Sequence, residues 1–434
     1  MKYSKLSSIY YQNRELYKKE YDKRFNSIST YHWPLAIKNN EAFIVITTNI
    51  LNTIESIYKV NNKILNLLEV LPSNSQVQIH YARKCLFDEV MLSNDIEGVY
   101  SSRQELHLAF KNPNKKKRFN GMLNKYWRLM SNETVPLDTC NDIRTLYDEI
   151  VVNEIEEADR PDGEIFRKGV TSVYSPTEKE IHRGIAGEDK IIEHMEKLLN
   201  FLKLSNIPDL IKISVFHYYF GYIHPFYDGN GRMNRFISSY LLSKFLNGFV
   251  SLKISYAIKN SIGKYYDAFI YGNDAKNKGD LTPFVEMFLA IISDAAHSAY
   301  NQIIEYVDRL KYFEDLLYSK KFLNTFSMLE LNVLFLLIQI NMFDGEPVDI
   351  TVIAEYANLS KNSIRPVLKK LFEEKFIFKS REFHSIVYSI NINYFEKFAE
   401  SLKWEHYHNI IKKAPRKIPG GCLHVIRFSW VQYK

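Results

Sequence analysis

The chain has 434 residues, of which 46% are hydrophobic and 25% are charged, and its net charge is +7. This composition is typical of a globular protein, and the length has room for two or three domains. No apolar run is long enough to span a membrane and the N-terminal stretch is polar, so we expect neither a membrane contact nor a secretory signal.

Cysteine and charge content set further expectations. The three cysteines, Cys85, Cys140 and Cys422, are widely spaced, which fits neither a disulfide framework nor a zinc site. The simplest expectation is therefore a reducing cytoplasm. The modest positive charge permits contact with nucleotides or nucleic acid without requiring it. The densest basic run, Lys111 to Arg118, contains a proline, and we interpret it as a solvated loop rather than a phosphate-binding patch.

The first part of the sequence favours helices. Apolar residues at helical spacing predict a long amphipathic helix over 41–70. The sequence VLPSNSQ breaks this pattern, and a second helix is expected from about Gln78 towards Gly98, a natural C-terminal stop. Residues 101–160 favour further helices. We therefore predict an N-terminal helical region over residues 1–110.

The sequence period changes near Gly163. Two short runs of strand-favouring residues, Val170–Tyr174 and Glu180–Arg183, flank the turn sequence Ser-Pro-Thr-Glu-Lys, which predicts a hairpin. Further helices are expected over 188–204, 209–223 and 230–245, and then as one long helix ending near 310. We predict one helical domain with a small hairpin over 111–310.

A different unit follows the long helix. In residues 347–392 a helix, a tight turn and a second helix precede two alternating strands. The second helix contains Pro366, which is tolerated in a first turn, so we predict Ser363 as the N-cap. The pattern resembles a winged helix-turn-helix, which we place at 320–395. Residues 396–434 show no clear period and stay unassigned.

Basic side chains on the second helix of this unit could meet the phosphates or base edges of DNA. They are Lys361, Arg365, Lys369 and Lys370. Glu373 and Glu374 follow closely, however, and winged helices also contact proteins or a second copy of the chain. DNA binding and a homodimer therefore both stay open.

The stretch YIHPFYDGNGRMNR, Tyr222–Arg235, concentrates polar groups in a short space. Its Gly-Asn-Gly turn should leave backbone N–H groups uncovered at the start of a helix, which suits a phosphate. Arg232 and Arg235 are three residues apart, so on a helix they can face the same anion. Asp228 beside them suits Mg²⁺, and His224 suits a general base. Together these groups are typical of phosphoryl or nucleotidyl transfer.

The sequence HPFYDGNGRMNR resembles, at every defined position, the HPFx(D/E)GNGRxxR signature of the Fic (filamentation induced by cAMP) family. The resemblance covers residues 30–300, including a helix before the motif and a hairpin upstream. It implies a mainly α fold, with an all-helical core and a β-hairpin flap. It also implies transfer of AMP from ATP to a Tyr, Thr or Ser hydroxyl of a target protein or of the chain itself.

The resemblance implies a role for each residue of the motif. His224 would accept the proton of the attacking hydroxyl as a catalytic base. Asp228 would hold Mg²⁺ between the α- and β-phosphates, and Arg232 would bind the γ-phosphate. The backbone amides that would bind the phosphates are those of Gly229, Asn230 and Gly231. Gly229 and Gly231 favour AMP transfer, because a related enzyme of the same fold that phosphorylates its target has bulkier residues at these two positions.

The same resemblance extends to residues around the motif. Phe226 would be a buried anchor of the loop, and the flap near Thr171 to Arg183 would bind the target backbone by strand pairing. Tyr265 and Tyr266 fall where relatives line the adenine side, although both could equally belong to the core.

A second motif, SNDIEG, resembles the inhibitory pattern (S/T)xxxE(G/N) of the family. Ser93 and Glu97 are four residues apart, so on a helix they share a face. In relatives this glutamate pairs with the second arginine of the signature, which here is Arg235, and disturbs the position of the γ-phosphate. The resemblance therefore implies a self-inhibited protein adenylyltransferase with an N-terminal inhibitory helix.

Two alternatives stay open at this point. Glu97 could instead position water for the removal of AMP from a modified protein. From another class, the chain could be a DNA-binding regulator whose core only senses a nucleotide. The intact His224 and Asp228 argue against a mere sensor, because sensing needs no base.

Overall fold

The computed structural model describes residues 3–69, 76–111, 118–131, 133–174, 180–343, 345–382 and 385–401. The chain divides into two compact units, the first formed by 1–311 with 342–344 and the second by 312–341 with 345–434. Helices dominate both, as the sequence predicts. The further division of the first unit at residue 110 stays a prediction. Over the described ranges, no helix is long and apolar enough to cross a membrane.

The first unit is built from helices joined by short loops and two hairpins. Its helices are α1 Leu6–Gln12, α2 Arg14–Phe25, α3 Thr48–Glu69, α4 Gln76–Ile96, α5 Arg103–Phe110, α6 Asn120–Met130, α7 Cys140–Ile150, α8 Glu188–Leu202, α9 Asp209–Ile223, α10 Asn230–Ser243, α11 Gly248–Ser251, α12 Ile254–Asn260, α13 Ile262–Asn273 and α14 Thr282–Leu317, the last of which continues into the second unit. Its strands are β1 Thr30–Ile37, β2 Asn40–Val45, β3 Ser172–Tyr174 and β4 Glu180–Arg183.

The predicted helix over 41–70 is wrong at its start. Strands β1 and β2 pair antiparallel, and helix α3 begins only at Thr48. Lys38 and Asn39, between the strands, have positive φ angles of 44° and 69°, which match the twist of a two-residue hairpin. The β-branched and aromatic run around Phe43 has buried side chains and pairs well as a strand, which outweighs its helical spacing.

Helix α9 is the centre of the first unit, and its bounds agree with the prediction. Its side chains are buried on nearly all sides, as expected for a helix that is apolar all round. Helix α10 packs directly on it. Residues 224–229 therefore form a short loop between two buried helices, and this loop is the first half of the polar motif.

The predicted hairpin near Gly163 is present as antiparallel strands β3 and β4, with an irregularity between Val173 and Tyr174. The Ile185 N–H donates to the Ile223 carbonyl (3.1 Å), which joins the base of the hairpin to the end of α9. Its turn, 175–179, lies outside the described residues, as does most of the basic run after Lys111.

The second unit has a helix, turn and helix followed by paired strands. Its elements after α14 are α15 Lys320–Thr325, α16 Met328–Phe343, β5 Val348–Asp349, α17 Ile350–Ala357, α18 Lys361–Glu373, β6 Ile377–Glu382, β7 Ser385–Ile390 and α19 Ile392–Ser401. The three strands form an antiparallel sheet in the order β5-β7-β6, so the predicted pair of strands has a third partner. The unassigned tail begins within α19, and its part after residue 401 lies outside the described residues, with Cys422.

The predicted N-cap of α18 is wrong. Ser360 rather than Ser363 caps the helix, because its hydroxyl accepts the Ser363 N–H (3.2 Å). Pro366 therefore lies inside the helix, where it removes one backbone hydrogen bond. Ile364, Val367, Leu368 and Leu371 are buried along one face, and we attribute the continuation of the helix through Pro366 to this packing.

Candidate functional site

His224 begins the loop between α9 and α10 in a left-handed conformation. Its φ and ψ angles are 53° and 63°, and its N–H donates to the Phe220 carbonyl (2.9 Å), closing the last turn of α9. A non-glycine residue in this region costs roughly 1–2 kcal/mol and persists only where the surroundings hold it. The residue as a whole remains partly exposed. The helix end therefore presents an imidazole to the site.

The loop is anchored by Phe226 and braced by Asn230. Phe226 is fully buried and stacks on Tyr147, with ring centroids 3.7 Å apart, in agreement with its predicted role as an anchor. The Asn230 side chain accepts the Phe226 N–H (3.0 Å) and donates to the Phe226 carbonyl (2.7 Å). Both groups of the Asn230 amide side chain thus form hydrogen bonds inside the loop, and its backbone N–H has no partner within the helix.

The N-terminus of α10 lies where the sequence predicts a phosphate-binding site. Gly229, the N-cap, has a φ of 80°, which favours glycine. The first N–H groups of an α-helix have no partner within the helix, and here these are the groups of Asn230, Gly231 and Arg232. The Gly229 N–H, in contrast, donates to the Asp228 carboxylate. Of the predicted phosphate-binding amides, those of Asn230 and Gly231 have no partner within the helix, whereas that of Gly229 is hydrogen-bonded to Asp228.

Arg235 reaches back to helix α4. Its Nε donates to the Ser93 hydroxyl (2.9 Å), its Nη2 to the Ser93 carbonyl (2.8 Å) and its Nη1 to Glu97 Oε1 (2.7 Å). A Cβ atom placed on Gly231 would lie 2.0 Å from Glu97 Oε1, so the Glu97 carboxylate rests against the start of α10. Ser93 and Glu97 therefore both contact Arg235.

The position of Glu97 follows from how α4 ends. Gly98 has a φ of +71°, its N–H donates to the Asp95 carbonyl (3.1 Å), and the Val99 N–H donates to the Asn94 carbonyl (2.9 Å). These bonds are the Schellman motif, which stops a helix at a glycine. Glu97 is thus the last residue before a fixed turn, close to the N-terminus of α10.

Sequence reasoning missed Glu89, which holds the same helix in place. Glu89 is fully buried two turns before Glu97, and it accepts hydrogen bonds from the backbone N–H (3.1 Å) and hydroxyl (2.7 Å) of Ser255. Burial raises the pKa of Glu89 to about 7, although Ser255 and Arg235 oppose this. A glutamate amid the apolar run FDEVML was the available signal, because buried carboxylates need partners.

Sequence reasoning also missed the partner of Arg232. Arg232 Nη1 donates to Glu154 Oε2 (3.1 Å), and Nη2 donates to Asp228 Oδ2 (3.3 Å). Glu154 belongs to a short 3-10 helix after α7, and burial raises its pKa to about 7 while Arg232 and Arg118 oppose the rise. Nothing in the sequence around Glu154 predicts this contact.

His224 carries no positive charge near neutral pH. Burial of the ring, followed by the neighbouring His182 and Arg167, lowers the pKa of His224 to about 4, while Glu97 acts in the opposite direction. A neutral imidazole can accept a proton. The electrostatics therefore fit the predicted base, and His182 of β4 and Arg167 are further residues that the sequence alone did not single out.

Tyr265 and Tyr266 have different environments. Tyr265 is buried and its hydroxyl bonds His217 Nε2 (2.7 Å), while Ser238 bonds the other ring nitrogen (2.7 Å), so Tyr265 belongs to the core. Tyr266 is partly exposed; burial raises its pKa, and the charges of Glu97 and Arg235 also act on it. Tyr266 thus lies near the site.

Asp228 is the residue that fits a magnesium ion. Its carboxylate is about half exposed, with a side-chain exposure of 48%, and it adjoins the anion site. Over the described ranges, no cluster of three or more His, Cys, Asp or Glu side chains could hold a metal ion. A lone carboxylate suits Mg²⁺ that takes its other ligands from phosphates and water.

Comparison with known proteins identifies the class of domain. Residues 136–242 match the Fic/DOC family model, and this range includes the whole loop and all of α10 except its last residue, Ser243. This match is shorter than the predicted range of 30–300. No curated protein matches the chain.

Solved structures of Fic proteins are similar to this chain at low sequence identity. A Fic family protein from Desulfovibrio desulfuricans G20 is 17% identical, with 80% of this chain and 97% of that chain covered and a TM-score of 0.48. A Fic domain containing signaling protein from Bacteroides thetaiotaomicron VPI-5482 is 16% identical (58% and 97% covered, TM-score 0.41). Fic-1 from C. elegans is 17% identical (60% and 73% covered, TM-score 0.41).

Proposed function

We propose that the chain is a protein adenylyltransferase that transfers AMP from ATP to a hydroxyl of a target protein or of itself. The observation that carries the proposal is the convergence on one helix N-terminus of a neutral imidazole, His224, with unpaired backbone N–H groups and two arginines. A helix N-terminus and guanidinium groups bind phosphates, and a neutral imidazole removes a proton. The Fic/DOC domain supports the same reaction class.

In this proposal the hydroxyl oxygen of the target attacks the α-phosphorus of ATP. The new O–P bond forms as the bond from the α-phosphorus to the bridging oxygen breaks, and diphosphate leaves with that oxygen. His224 Nδ1 or Nε2 accepts the hydroxyl proton. The α10 N–H groups and Arg232 orient the phosphates and offset their charge, which is most of what phosphoryl-transfer catalysis requires. Asp228 would hold Mg²⁺, which supplies charge neutralisation on the phosphates.

Glu97 acts as an inhibitor in this proposal. Its carboxylate neutralises Arg235 at 2.7 Å and lies against the backbone of Gly231, where a phosphate would otherwise be placed. A phosphate and a carboxylate repel each other in the same pocket. ATP therefore binds productively only when Glu97 has left, which makes α4 the inhibitory helix.

The test is label transfer from α-labelled ATP with Mg²⁺ to protein. We expect little label with the native chain, strong label with Glu97→Gly, and none when His224→Ala is added. Glu157→Gly, at an exposed glutamate of the same unit, is the matched control and should behave like the native chain. Absence of label in every variant, with candidate target proteins and with CTP or UTP in place of ATP, would contradict the proposal.

The same variants separate the alternative use of Glu97. If Glu97 positions water for AMP removal, a protein that is already AMPylated should lose its label with the native chain and keep it with Glu97→Gly. Under the present proposal the native chain removes no label. A nucleotide sensor, in contrast, would bind ATP and transfer nothing.

For the second unit we infer a winged helix-turn-helix that binds DNA. Lys361, Arg365 and Lys369 of α18 are exposed at four-residue intervals, so they form one basic stripe along the helix. Lys370, the fourth residue predicted for this role, instead pairs with Glu330 (2.9 Å) and is used within the unit. Lys369 also lies 3.9 Å from Glu373, a weak exposed pair.

The DNA proposal is tested by retention on duplex DNA over a range of salt concentrations. The native chain should be retained at low salt, and Arg365→Glu with Lys369→Glu should abolish retention because phosphate contacts dominate affinity. Lys18→Glu with Lys19→Glu, at exposed residues of the first unit, makes the same change in charge and should retain binding. Equal loss in both double variants, or no retention of the native chain, would contradict a site on α18.

A further inference from the structure

Arg167 is a buried arginine that binds backbone carbonyls. Its side chain is fully buried, and the guanidinium donates from Nε to the His224 carbonyl (2.9 Å), from Nη2 to the Ile223 carbonyl (3.4 Å) and from Nη1 to the Gly169 carbonyl. Across the part of the chain that the structure describes, no carboxylate forms an ion pair with Arg167. All of its hydrogen bonds therefore go to backbone carbonyls. Burial lowers the pKa of Arg167, while Tyr227 and Asp162 act in the opposite direction without a hydrogen bond to its guanidinium.

Two of the carbonyls that the Arg167 guanidinium binds, those of Ile223 and His224, belong to the end of α9. Its own backbone N–H donates to the Pro225 carbonyl (3.2 Å), so one residue holds the carbonyls on both sides of His224 as well as that of His224 itself. Terminal carbonyls of a helix have no partner within the helix and carry partial negative charge, which a guanidinium matches. The left-handed backbone of His224 is therefore held by contacts outside its own helix.

We propose that Arg167 is a positioning residue that fixes the imidazole of His224 for proton transfer. It acts through the backbone of residues 223–225 and contacts no reacting atom. The proposal rests on the proposed function for its catalytic consequence, whereas its effect on His224 itself is independent of any reaction.

Residues 162–169, the segment that contains Arg167, also contact Tyr227, further along the loop between α9 and α10. The Gly169 N–H donates to the Tyr227 hydroxyl (2.8 Å), and that hydroxyl donates to Asp162 Oδ1 (3.0 Å). The Asp162 carboxylate also accepts the Lys168 N–H (2.8 Å). The segment 162–169 therefore holds both His224 and Tyr227, which fixes the loop relative to the base of the hairpin.

The charge of Arg167 has a second effect on His224. The charged or titratable groups around the ring are His182 of β4, Arg167 and Glu97 at the end of α4. Burial is the largest cause of the low pKa of His224, and His182 and Arg167 both lower it, whereas Glu97 raises it. Removing the Arg167 charge should consequently raise the pKa of His224, which provides a readout that a merely structural role would not move.

Gly184 closes the space around Arg167. A Cβ atom at Gly184 would lie 2.5 Å from Arg167 Nη2, 2.9 Å from His224 Cβ and 3.1 Å from the Ile223 carbonyl oxygen. A methyl group there must displace at least one of these groups. Gly184→Ala therefore disturbs the arrangement while keeping the arginine and its charge.

The experiment uses the full chain with Glu97→Gly as background, combined with Arg167→Met or Arg167→Lys. The His224 ring is titrated by NMR, with its signal assigned by comparison with His224→Ala, and kcat and the nucleotide KM are measured in parallel. Arg167→Met should raise the pKa of His224 by about half a pH unit or more. It should also lower kcat about tenfold or more with KM changed less than about twofold, because the base is misplaced.

Arg167→Lys and Gly184→Ala separate position from charge. Both keep a positive charge, so the pKa of His224 should stay near its native value while kcat falls. The matched controls are Arg160→Met, at an exposed arginine in the same stretch, and Gly263→Ala, where a Cβ atom meets nothing within 4 Å. Both controls should leave kcat and the His224 titration unchanged.

Specific outcomes overturn the proposal. A folded Arg167→Met variant with unchanged kcat and an unchanged His224 pKa would contradict it, as would a large rise in KM at constant kcat, which would indicate a phosphate-binding role. If Arg167→Met does not fold, an unchanged kcat in Gly184→Ala has the same force. If no variant transfers label at all, the proposed function has failed, and the His224 titration still tests Arg167.

Discussion

The two arginines of α10 each bind a carboxylate, but the two pairs differ in burial. Arg232 lies 3.1 Å from Glu154, whose side chain is 2% exposed, and Arg235 lies 2.7 Å from Glu97, whose side chain is 28% exposed. Both arginine side chains are buried, so the pairs differ only in the exposure of their glutamates. Removing the buried Glu154 leaves an uncompensated charge, whereas water can reach the position of the partly exposed Glu97. Under the proposed function, we expect Glu154 to be a fixed part of the site and Glu97 to be the part that leaves it.

The secondary structure around the two glutamates supports this difference. Glu97 lies at the end of α4 beside Gly98, where a change in the turn can move it without disturbing the helix. Glu154 lies between α7 and the residues that lead to the hairpin, and its carboxylate faces Arg232 and Arg118. A regulatory movement is therefore expected on the Glu97 side only.

The largest effect on label transfer is expected when His224, the proposed base, is replaced. In the Glu97→Gly background, His224→Ala should lower label transfer by on the order of 10²–10⁴-fold, because proton removal then has no catalyst. The measurement is the initial rate of label transfer. His182→Ala tests whether the neighbouring imidazole substitutes for His224, and we expect it to retain transfer. If His224→Ala retains most of the rate, Glu97 does not block a base-driven reaction and the comparison loses its functional meaning.

Stability should separate the two glutamates most directly. Glu154→Ala leaves Arg232 buried without its main partner, so the free energy of unfolding of the first unit should fall by about 3 kcal/mol. Glu97→Ala should lower it by less than Glu154→Ala, because Glu97 is 28% exposed and Ser93 keeps two hydrogen bonds to the buried Arg235. Urea unfolding measures both, with Glu157→Ala as the exposed control. Similar losses for Glu97→Ala and Glu154→Ala would end the distinction.

The rate of label transfer should change strongly when Glu97 is replaced and little when Glu154 is replaced. Glu97→Gly is expected to raise transfer about tenfold or more, since Arg235 and the start of α10 become available to phosphate. Glu154→Gln keeps the shape of the side chain and should produce no such rise. The same labelling assay with both variants side by side provides the measurement. A rise with Glu154→Gln would assign an inhibitory role to the buried glutamate as well.

The sequence predicted one of these pairs and not the other, for a physical reason. Short-range patterns led to α9, the turn at Gly229 and the anion site, because helix caps and turns depend on neighbouring residues. The pairing of Glu97 with Arg235, 138 residues apart, came from a resemblance rather than from spacing. No comparable pattern marks Glu154, 78 residues from Arg232.

Local sequence patterns also failed to predict one strand of the fold and one contact of His224, the proposed base. Strand β2 was predicted as helix because its pairing with β1 is a tertiary contact that overrides local spacing. Arg167 was missed because its contact with His224 spans 57 residues and involves backbone carbonyls, which no side-chain pattern reveals. Contacts between residues that are far apart in the sequence are thus the part of the site that sequence patterns could not predict.

The smallest effect is expected from pH, and it again distinguishes Glu97 from Glu154. The pKa of His224 is lowered to about 4 by burial, His182 and Arg167, so the ring is neutral above that value and protonated below it. Transfer by Glu97→Gly should therefore be nearly constant from about pH 6 to about pH 8 and should fall only in more acidic solution. Glu97 raises the pKa of His224, so its removal should move the acid limit further down, whereas Glu154→Gln should leave the limit in place. The pH profile of kcat/KM provides the measurement, and an acid limit near the ordinary histidine value of about 6.5 would show that His224 is not held in this environment during the reaction.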